Sequence, residues 1–475
     1  MEISFNPGFK RWFQGLQPIL RPRLLALLFL GAGAAGPTIA ADDYAIRGKN
    51  NWLFIRHEII HETLDPAARI SFSLIEKVNR VLVRNQVALL VVVVPSKMET
   101  YVEQLPDDFK ISNYMRGFND SMQSALRSGG VPVIDLKTPL RNAALQNPDS
   151  PVFFRLDTHW SPTGAMVAAQ AIQEGIPNSA SLKKAFDSTP GAKYKLVWAS
   201  KKQRTKFRDI TTYLPAGSPS YPPDEVLRFH VSREDAARVS LLGEMGAGDI
   251  ALVGSSFSGD STGFADALRY ALQRDIVNFA VNADVGPWVV MRSYLRDDVF
   301  QAKPPKLVIW EIPERVIGLN PSYGFRPERY KIDDADWLLH VGALGQRVCE
   351  SAAITPKLEP NGLQVGPGAR TGASTTDADF VELSFDKPVD HLSYLSARIV
   401  TDGSRQLLIE SLGRGGLVHK FSVDTAGDER AHLLKTPLVG SRGAGVSRIK
   451  IYPGSTKSFA LTHVEVCRYP EDLLK

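Results

Sequence analysis

The sequence predicts an α/β domain built on a central parallel sheet, followed by a C-terminal β-sandwich. Three observations predict it. Val87-Ala88-Leu89-Leu90-Val91-Val92-Val93-Val94, stopped by Pro95, is a continuous β-branched run of the kind buried on both faces of a parallel sheet. Short apolar runs then alternate with helical stretches, which is the pattern of a layered α/β domain. Beyond about residue 345 the pattern changes to regularly spaced alternating runs separated by Gly, Asp, Ser and Pro, as in a sandwich.

In chain order, residues 1–40 read as an export signal. A basic region runs to Arg23, Leu24 to Leu30 form an apolar core, and Thr38-Ile39-Ala40 offers small residues for cleavage. Glycines and Pro37 interrupt the apolar run, which falls short of the ~20 residues of a spanning helix. Asn51 to Ile55 reads as a strand and Phe72 to Asn85 as a helix. A helix over Asn113–Ser128, a strand over Val131–Leu136 and a helix over Pro162–Glu174 follow. Asp249 to Val253 and Lys306 to Ile312 are buried strands, with a helix over Thr262–Arg274 and a strand near Ile276 to Asn282 between them. The tail holds strands at Phe380–Phe385, Gln406–Glu410, Leu417–Asp424, Val446–Tyr452 and Phe459–Val466. The expected division is 42–345 for the α/β domain and 346–475 for the sandwich, two domains being what 475 residues imply. Cys349 and Cys467 bracket the sandwich and form a disulfide candidate in an oxidising compartment.

Hydrophobic residues make up 44% and charged residues 23%, the balance of a globular chain. Of the net charge of +5, the leader carries +3, so no global basic face argues for nucleic-acid binding. One local stretch, from Lys193 to Arg208, is basic enough to attract an anionic polymer, or to be a solvated loop.

Two motifs carry chemistry. In Asp157-Thr158-His159-Trp160-Ser161-Pro162, Ser161 and Pro162 signal a helix start, so Asp157 and His159 sit on the extended chain before it. Two residues apart, they project to one side, and the carboxylate can hold Nδ1 while Nε2 stays free as a base. In Asp249-Ile250-Ala251-Leu252-Val253-Gly254-Ser255-Ser256-Phe257-Ser258, a buried strand ends on a tight turn that exposes a hydroxyl beside backbone N–H groups. Nucleophile, base and orienting carboxylate are the residue types that activate a hydroxyl.

These two motifs, in this order, resemble the SGNH-hydrolase-like domain of the AlgX/AlgJ family of alginate O-acetyltransferases. Asn51-Trp52-Leu53-Phe54, Phe207-Arg208-Asp209-Ile210 and Val308-Ile309-Trp310-Glu311-Ile312-Pro313-Glu314-Arg315 add to the likeness, which spans about residues 45 to 330. The resemblance implies Ser256 as nucleophile, His159 as base and Asp157 as its partner, with Ser255 and Ser258 as rival serines. It implies acetyl transfer onto an exopolysaccharide in the periplasm, with no metal and no organic cofactor. It also implies a carbohydrate-binding module in the tail and partners in an exopolysaccharide biosynthesis and secretion complex. Gly286 is the candidate second oxyanion donor and Arg315 a candidate substrate-binding cation; a Glu–Arg pair fixing the loop is the alternative for Arg315. Tyr394, Phe421 and Tyr452 are sugar platforms or core, and Arg414, Lys420, Arg442 and Arg448 are available to pair with carboxylates.

His57-Glu58-Ile59-Ile60-His61 fits the zincin signature H-E-x-x-H, which needs a helix to bring both imidazoles to one metal. The preceding strand and Pro66 leave room for at most a brief helix. Ester hydrolysis by the same residues, and polysaccharide binding without catalysis, are the competing functions.

Overall fold

Residues 44–234, 248–281, 286–323 and 331–354 are described in the computed structural model, as are 356–358, 364–365, 380–402, 406–413, 418–425, 428–438, 445–453 and 458–473. The leader, Arg414 and Arg442 lie outside the described residues.

Five parallel strands make the central sheet: β1 (Ala88–Val94), β2 (Val133–Ile134), β3 (Ile250–Gly254), β4 (Ile276–Ala280) and β5 (Leu307–Pro313), in the order β4-β3-β5-β1-β2. In β3 and β5 every residue is buried, as expected of strands covered on both faces. The covering helices are α1 (Asp65–Arg84), α2 (Asn113–Ser128), α3 (Pro162–Gly175), α4 (Phe264–Leu272), α5 (Gly286–Arg296) and α6 (Asp334–Gly345). Ser112 caps α2 and Ser161 caps α3, each accepting a bond from a backbone N–H of the first turn. Helix α1 begins earlier than its apolar periodicity suggests, because Pro66 fits its first turn. Strand β2 is shorter than the expected Val131–Leu136: it lies at the sheet edge, Pro132 offers no N–H, and Asp135 turns to accept from Lys137 N.

The C-terminal strands form two antiparallel sheets. Pro356–Leu358, β6 (Val381–Val389), β8 (Gln406–Gly413), β9 (Val418–Asp424) and β11 (Val446–Tyr452) make one. Gln364–Val365, β7 (Ser393–Asp402), β10 (Asp428–Pro437) and β12 (Ser458–Arg468) make the other. Their inward residues, among them Leu383, Leu395, Ile399, Ile409, Ile449 and Leu461, form an apolar cluster distinct from that of the parallel sheet. Cys349 is bonded to Cys467 of β12, joining the segment that enters the sandwich to its last strand.

Strands β7 and β10 were not evident in the sequence. Strand β10 is an edge strand that meets the α/β layer through polar side chains on both of its faces. Lys435 Nζ donates to Gln301 Oε1 at 3.0 Å and to the Gln346 carbonyl at 2.5 Å. His432 lies between Asp298 and Asp428, each ring nitrogen 2.5 Å from a carboxylate oxygen. Tyr394 of β7 faces the α/β cluster rather than the sandwich interior, packing on Tyr469.

The Asp298 contact, with support from Asp428, raises the His432 pKa to about 9 against the opposing effect of burial. An unfolded histidine titrates near 6.5, so this pairing stabilises the fold fully below about pH 6.5 and ceases to once the pH has risen through about 9. The melting-temperature gap between the natural chain and His432→Gln is therefore expected to be widest at about pH 6 and to close by about pH 10.

Candidate active site

The carboxyl ends of β1, β3 and β5 converge, and the loop Arg155–Trp160 runs over them toward α3. A backbone bridge between Phe153 and Trp160, with Phe154 N donating to the His159 carbonyl at 3.1 Å, folds that loop into a tight reversal. Asp157 Oδ1 lies 2.6 Å from His159 Nδ1 and also accepts the His159 N–H at 3.1 Å. His159 Nε2 lies 2.8 Å from Ser256 Oγ. Trp160 Nε1 donates to the Phe257 carbonyl at 3.0 Å, so the two motifs are tied one residue beyond the imidazole and the serine.

Of the three neighbouring serines, Ser256 is half-buried and meets the imidazole; Ser255 and Ser258 are buried and turn to Glu311. Glu311, from β5, accepts from Ser255 N at 2.7 Å, from Ser255 Oγ at 3.0 Å and from Ser258 Oγ at 2.9 Å. Ser255 Oγ in turn caps the short 3-10 turn Ser256–Ser258 by accepting from Phe257 N. Gly254 is required here: a Cβ would come within 2.7 Å of Glu311 Oε2 and would overlap Ser258 Oγ.

Two further side chains were missed as site components. Lys97, just past β1, is fully buried, and its three ammonium hydrogens match three carbonyls: Leu53 at 2.7 Å, Asp157 at 2.9 Å and Arg155 at 3.0 Å. A lysine directly after a buried strand and a Pro-Ser turn was the available signal. Asp209 lies in the Phe207-Arg208-Asp209-Ile210 segment, and nothing local in the sequence marks its carboxylate. It accepts from Thr158 N at 2.8 Å and Thr158 Oγ1 at 2.6 Å, and its N–H donates to Asp157 Oδ2 at 2.8 Å. Its carboxylate stands 3.9 Å from His159 Nδ1.

Burial works to raise the Asp157 pKa, but the hydrogen bond and charge of His159, with the backbone N–H of Asp209, hold it below the ordinary carboxylate value. Burial, followed by the charge of Asp157, pushes Asp209 the other way. Lys97 is drawn down to about 8 by burial, against the attraction of Glu58, Asp157, Asp209 and Asp224. An ionised Asp157 suits an imidazole that must become a cation while it holds the serine proton.

Gly286 opens α5 with φ of 77° and lines a small cavity with Gly254, Ser255 and Glu311. Arg315 stands beside the site, its guanidinium 5.3 Å from the Phe257 ring and 4.0 Å from Glu58. That glutamate is the one inside H-E-x-x-H. Its stretch forms two three-residue 3-10 turns, Arg56–Glu58 and Glu62–Leu64, not a helix that would align His57 with His61. Among the described residues, the groups with metal-ligand spacing are Asp157, His159 and Asp209, and Cys349, Glu465 and Cys467; neither includes His57 or His61. Nδ1 of His159 and the oxygens of Asp157 and Asp209 are already engaged with one another and with Thr158. In the sandwich, Tyr394 and Tyr452 are buried and Phe421 is half-buried. Arg448 and Lys420 face Glu382 and Glu410.

With this geometry in place, the family described as SGNH hydrolase-like domain, acetyltransferase AlgX matches residues 45–314, more than half of the chain. The chain belongs to the AlgX/AlgJ acetyltransferase family. Among its relatives, the probable alginate O-acetylase AlgJ of Azotobacter vinelandii is 31% identical over 319 residues, 63% of this chain and 74% of that protein. The Pseudomonas aeruginosa AlgJ is 30% identical over 317 residues, 63% and 75% of the two chains. The solved O-acetyltransferase domain of Pseudomonas putida AlgJ aligns with a TM-score of 0.52 at 25% identity, covering 62% of this chain and 98% of that one. The structure of Pseudomonas aeruginosa AlgX aligns with a TM-score of 0.61 at 16% identity, over 90% of this chain and 94% of AlgX, a likeness of fold that extends into the β-rich tail. Membership of the AlgX/AlgJ family makes this chain an O-acetyltransferase with an SGNH-hydrolase-like domain.

Glu311→Ala would leave the Ser255 N–H and two hydroxyls without their acceptor in the interior. The expected loss is about 3 kcal/mol of unfolding free energy, read from denaturant midpoints at unchanged slope.

Proposed function

We propose that this chain transfers acetyl groups onto hydroxyls of an exported acidic polysaccharide, alginate being the first candidate, through an acetyl-Ser256 intermediate. The observation that carries the reading is the continuous hydrogen-bonded series Asp157–His159–Ser256 within the family's acetyltransferase domain.

His159 Nε2 takes the Ser256 proton as Oγ attacks the donor's acetyl carbonyl. The tetrahedral oxyanion is met by the Ser256 N–H at the open start of its 3-10 turn, with Gly286 N–H as the second donor. When the donor's leaving group departs, it takes the proton from His159. A sugar hydroxyl then enters, gives its proton to His159 and attacks the acetyl-serine; the proton returns to Ser256 as the acetylated sugar leaves. Asp157 stays ionised throughout and steadies the imidazolium. Arg315, facing the Phe257 ring and Glu58, fixes the turn that carries Ser256, with substrate contact as its secondary role.

Residues 1–40 act as the export signal, the α/β domain over 42–345 carries the chemistry, and the sandwich over 346–475 holds the polymer. The Cys349–Cys467 bond supports a periplasmic location, since such bonds persist in oxidising compartments. No described helix is long and apolar enough to cross a membrane. The names of the relatives, alginate O-acetylase and alginate biosynthesis protein, support alginate and its biosynthesis machinery as the setting.

Incubation with an acetyl-ester donor and oligouronates is expected to yield acetylated sugar, followed by mass spectrometry. Ser256→Ala should lower that yield by more than about a thousandfold while the fold is retained. Turnover near the natural level in this variant rules out Ser256, and acetate release without acetylated sugar favours ester hydrolysis.

A further inference from the structure

In the acetyl-serine cycle His159 becomes a cation twice, and Asp157 is not the only carboxylate it then faces. Asp209 Oδ2 stands 3.9 Å from His159 Nδ1, beyond hydrogen-bond reach but inside the range over which an opposite charge favours an imidazolium. Both oxygens of Asp209 are held by the residue between the acid and the base. Oδ1 accepts from Thr158 N at 2.8 Å and Oδ2 from Thr158 Oγ1 at 2.6 Å. The backbone N–H of Asp209 donates to Asp157 Oδ2 at 2.8 Å, while Asp157 Oδ1 faces the imidazole at 2.6 Å. Asp209 thus meets the pair through two groups, a backbone N–H that orients the acid and a side-chain charge that lies near the base.

Only the charge depends on this residue being an aspartate. An asparagine would offer an oxygen to Thr158 N and an amide to Thr158 Oγ1, and it would hold the loop without placing a second negative charge beside Asp157. Burial and then that neighbouring charge push the Asp209 pKa above the ordinary carboxylate value, and the Thr158 bonds and the charge of His159 oppose them. The repulsion between two carboxylates is relieved when the group between them turns positive. The other charged groups around Asp209 are Lys97, held on three carbonyls, and its chain neighbour Arg208, whose Nε turns to Thr211 Oγ1 at 3.3 Å. Neither exchanges a proton in the cycle, so the charge of Asp209 acts differentially on His159.

We propose that Asp209 is a positioning residue for the transfer reaction: its carboxylate stabilises the His159 imidazolium alongside Asp157, and its N–H keeps Asp157 turned toward that ring. The proposal rests on the acetyl-Ser256 reading and adds a second acid to the relay. Its sign is definite. Neutralising Asp209 disfavours the imidazolium, so the ring gives up its proton at lower pH and is a weaker base at every stage. The Asp209 side chain is 40% exposed, so solvent screening keeps the effect at the lower end of what a charge at this distance exerts.

The full chain is compared with Asp209→Asn, which removes the charge, and with Thr158→Val, which removes the hydroxyl contact and keeps the charge. Histidine-ring NMR follows the imidazole, the His159 signal being assigned by its loss in His159→Gln. In Asp209→Asn the midpoint of that titration is expected about one pH unit lower. The acid limb of kcat/KM should move down with it, and the plateau of acetyl transfer should fall between about threefold and tenfold. Thr158→Val is expected to slow transfer without moving the limb to lower pH. In the natural chain the Asp209 carboxyl carbon should shift as the imidazole titrates, which reads the coupling without any substitution. An unmoved His159 midpoint in folded Asp209→Asn, an Asp209 carbon indifferent to the imidazole, or an equal downward shift in Thr158→Val overturns the proposal. The NMR measurements need no turnover: if they hold while Ser256-dependent transfer fails, the acetyl-serine reading falls and the Asp209–His159 coupling stands. Normal transfer with an unmoved titration removes only the role of Asp209.

Discussion

One buried ammonium joins three separate parts of the chain. Lys97 sits just past the end of β1 and donates to carbonyls at Leu53, Arg155 and Asp157. Those carbonyls belong to the short strand Leu53–Ile55, which pairs antiparallel with Ala45–Arg47, and to both ends of the stretch Arg155–Asp157 that carries the catalytic acid. An ammonium has three hydrogens, and all three are used, so the charge is satisfied without a paired carboxylate in contact. The rings of Trp52 and Phe54, 5.4 and 5.3 Å from Nζ, complete the enclosure. A side chain without a donor at this position would remove the ammonium bond from all three carbonyls, leaving that of Arg155 with only the Leu53 N–H, and the Asp157 backbone would lose the contact that sets its height above the sheet.

From that point the relay is built by short-range geometry. Asp157 uses one oxygen on His159 and the other on the Asp209 N–H, so the carboxylate cannot rotate without losing a bond. Asp209 in turn holds Thr158, the residue between the acid and the base. On the other side, Glu311 draws Ser255 and Ser258 inward, which leaves Ser256 as the hydroxyl that meets the imidazole. The site is thus supported by buried polar groups on each side. Such groups are costly when any one partner is lost, and they keep the reacting atoms in register when all are present.

Much of this could be read from the sequence. The β-branched run before Pro95 and the apolar strands ahead of Gly254 and Pro313 identify the sheet, because burial on both faces demands continuous apolar side chains. The order Asp157, His159, Ser256 and the family resemblance bring the site residues into view. What escaped were contacts between distant segments. Lys97 looks like an ordinary surface lysine until the loop at Arg155 folds over it, and Asp209 is fifty-two positions from the Asp157 oxygen that it contacts. Strand β10 carries His432 and Lys435 on opposite faces, which obscures its apolar alternation, because this edge strand meets Asp298 and Gln301 of the neighbouring layer. Glu58, read within a metal-binding motif, is instead a buried partner of Arg315, Ser96 and the Met98 N–H. No local pattern reports such pairings.

The most direct test of the relay is to quench the reaction with a chromogenic acetyl donor before acceptor is added and to map the modified peptide. One acetyl group on Ser256, formed in the natural chain and lost in His159→Ala, is the expected result. Acetylation of Ser255 or Ser258 instead, or labelling of Ser256 at the natural rate without His159, would contradict the assignment.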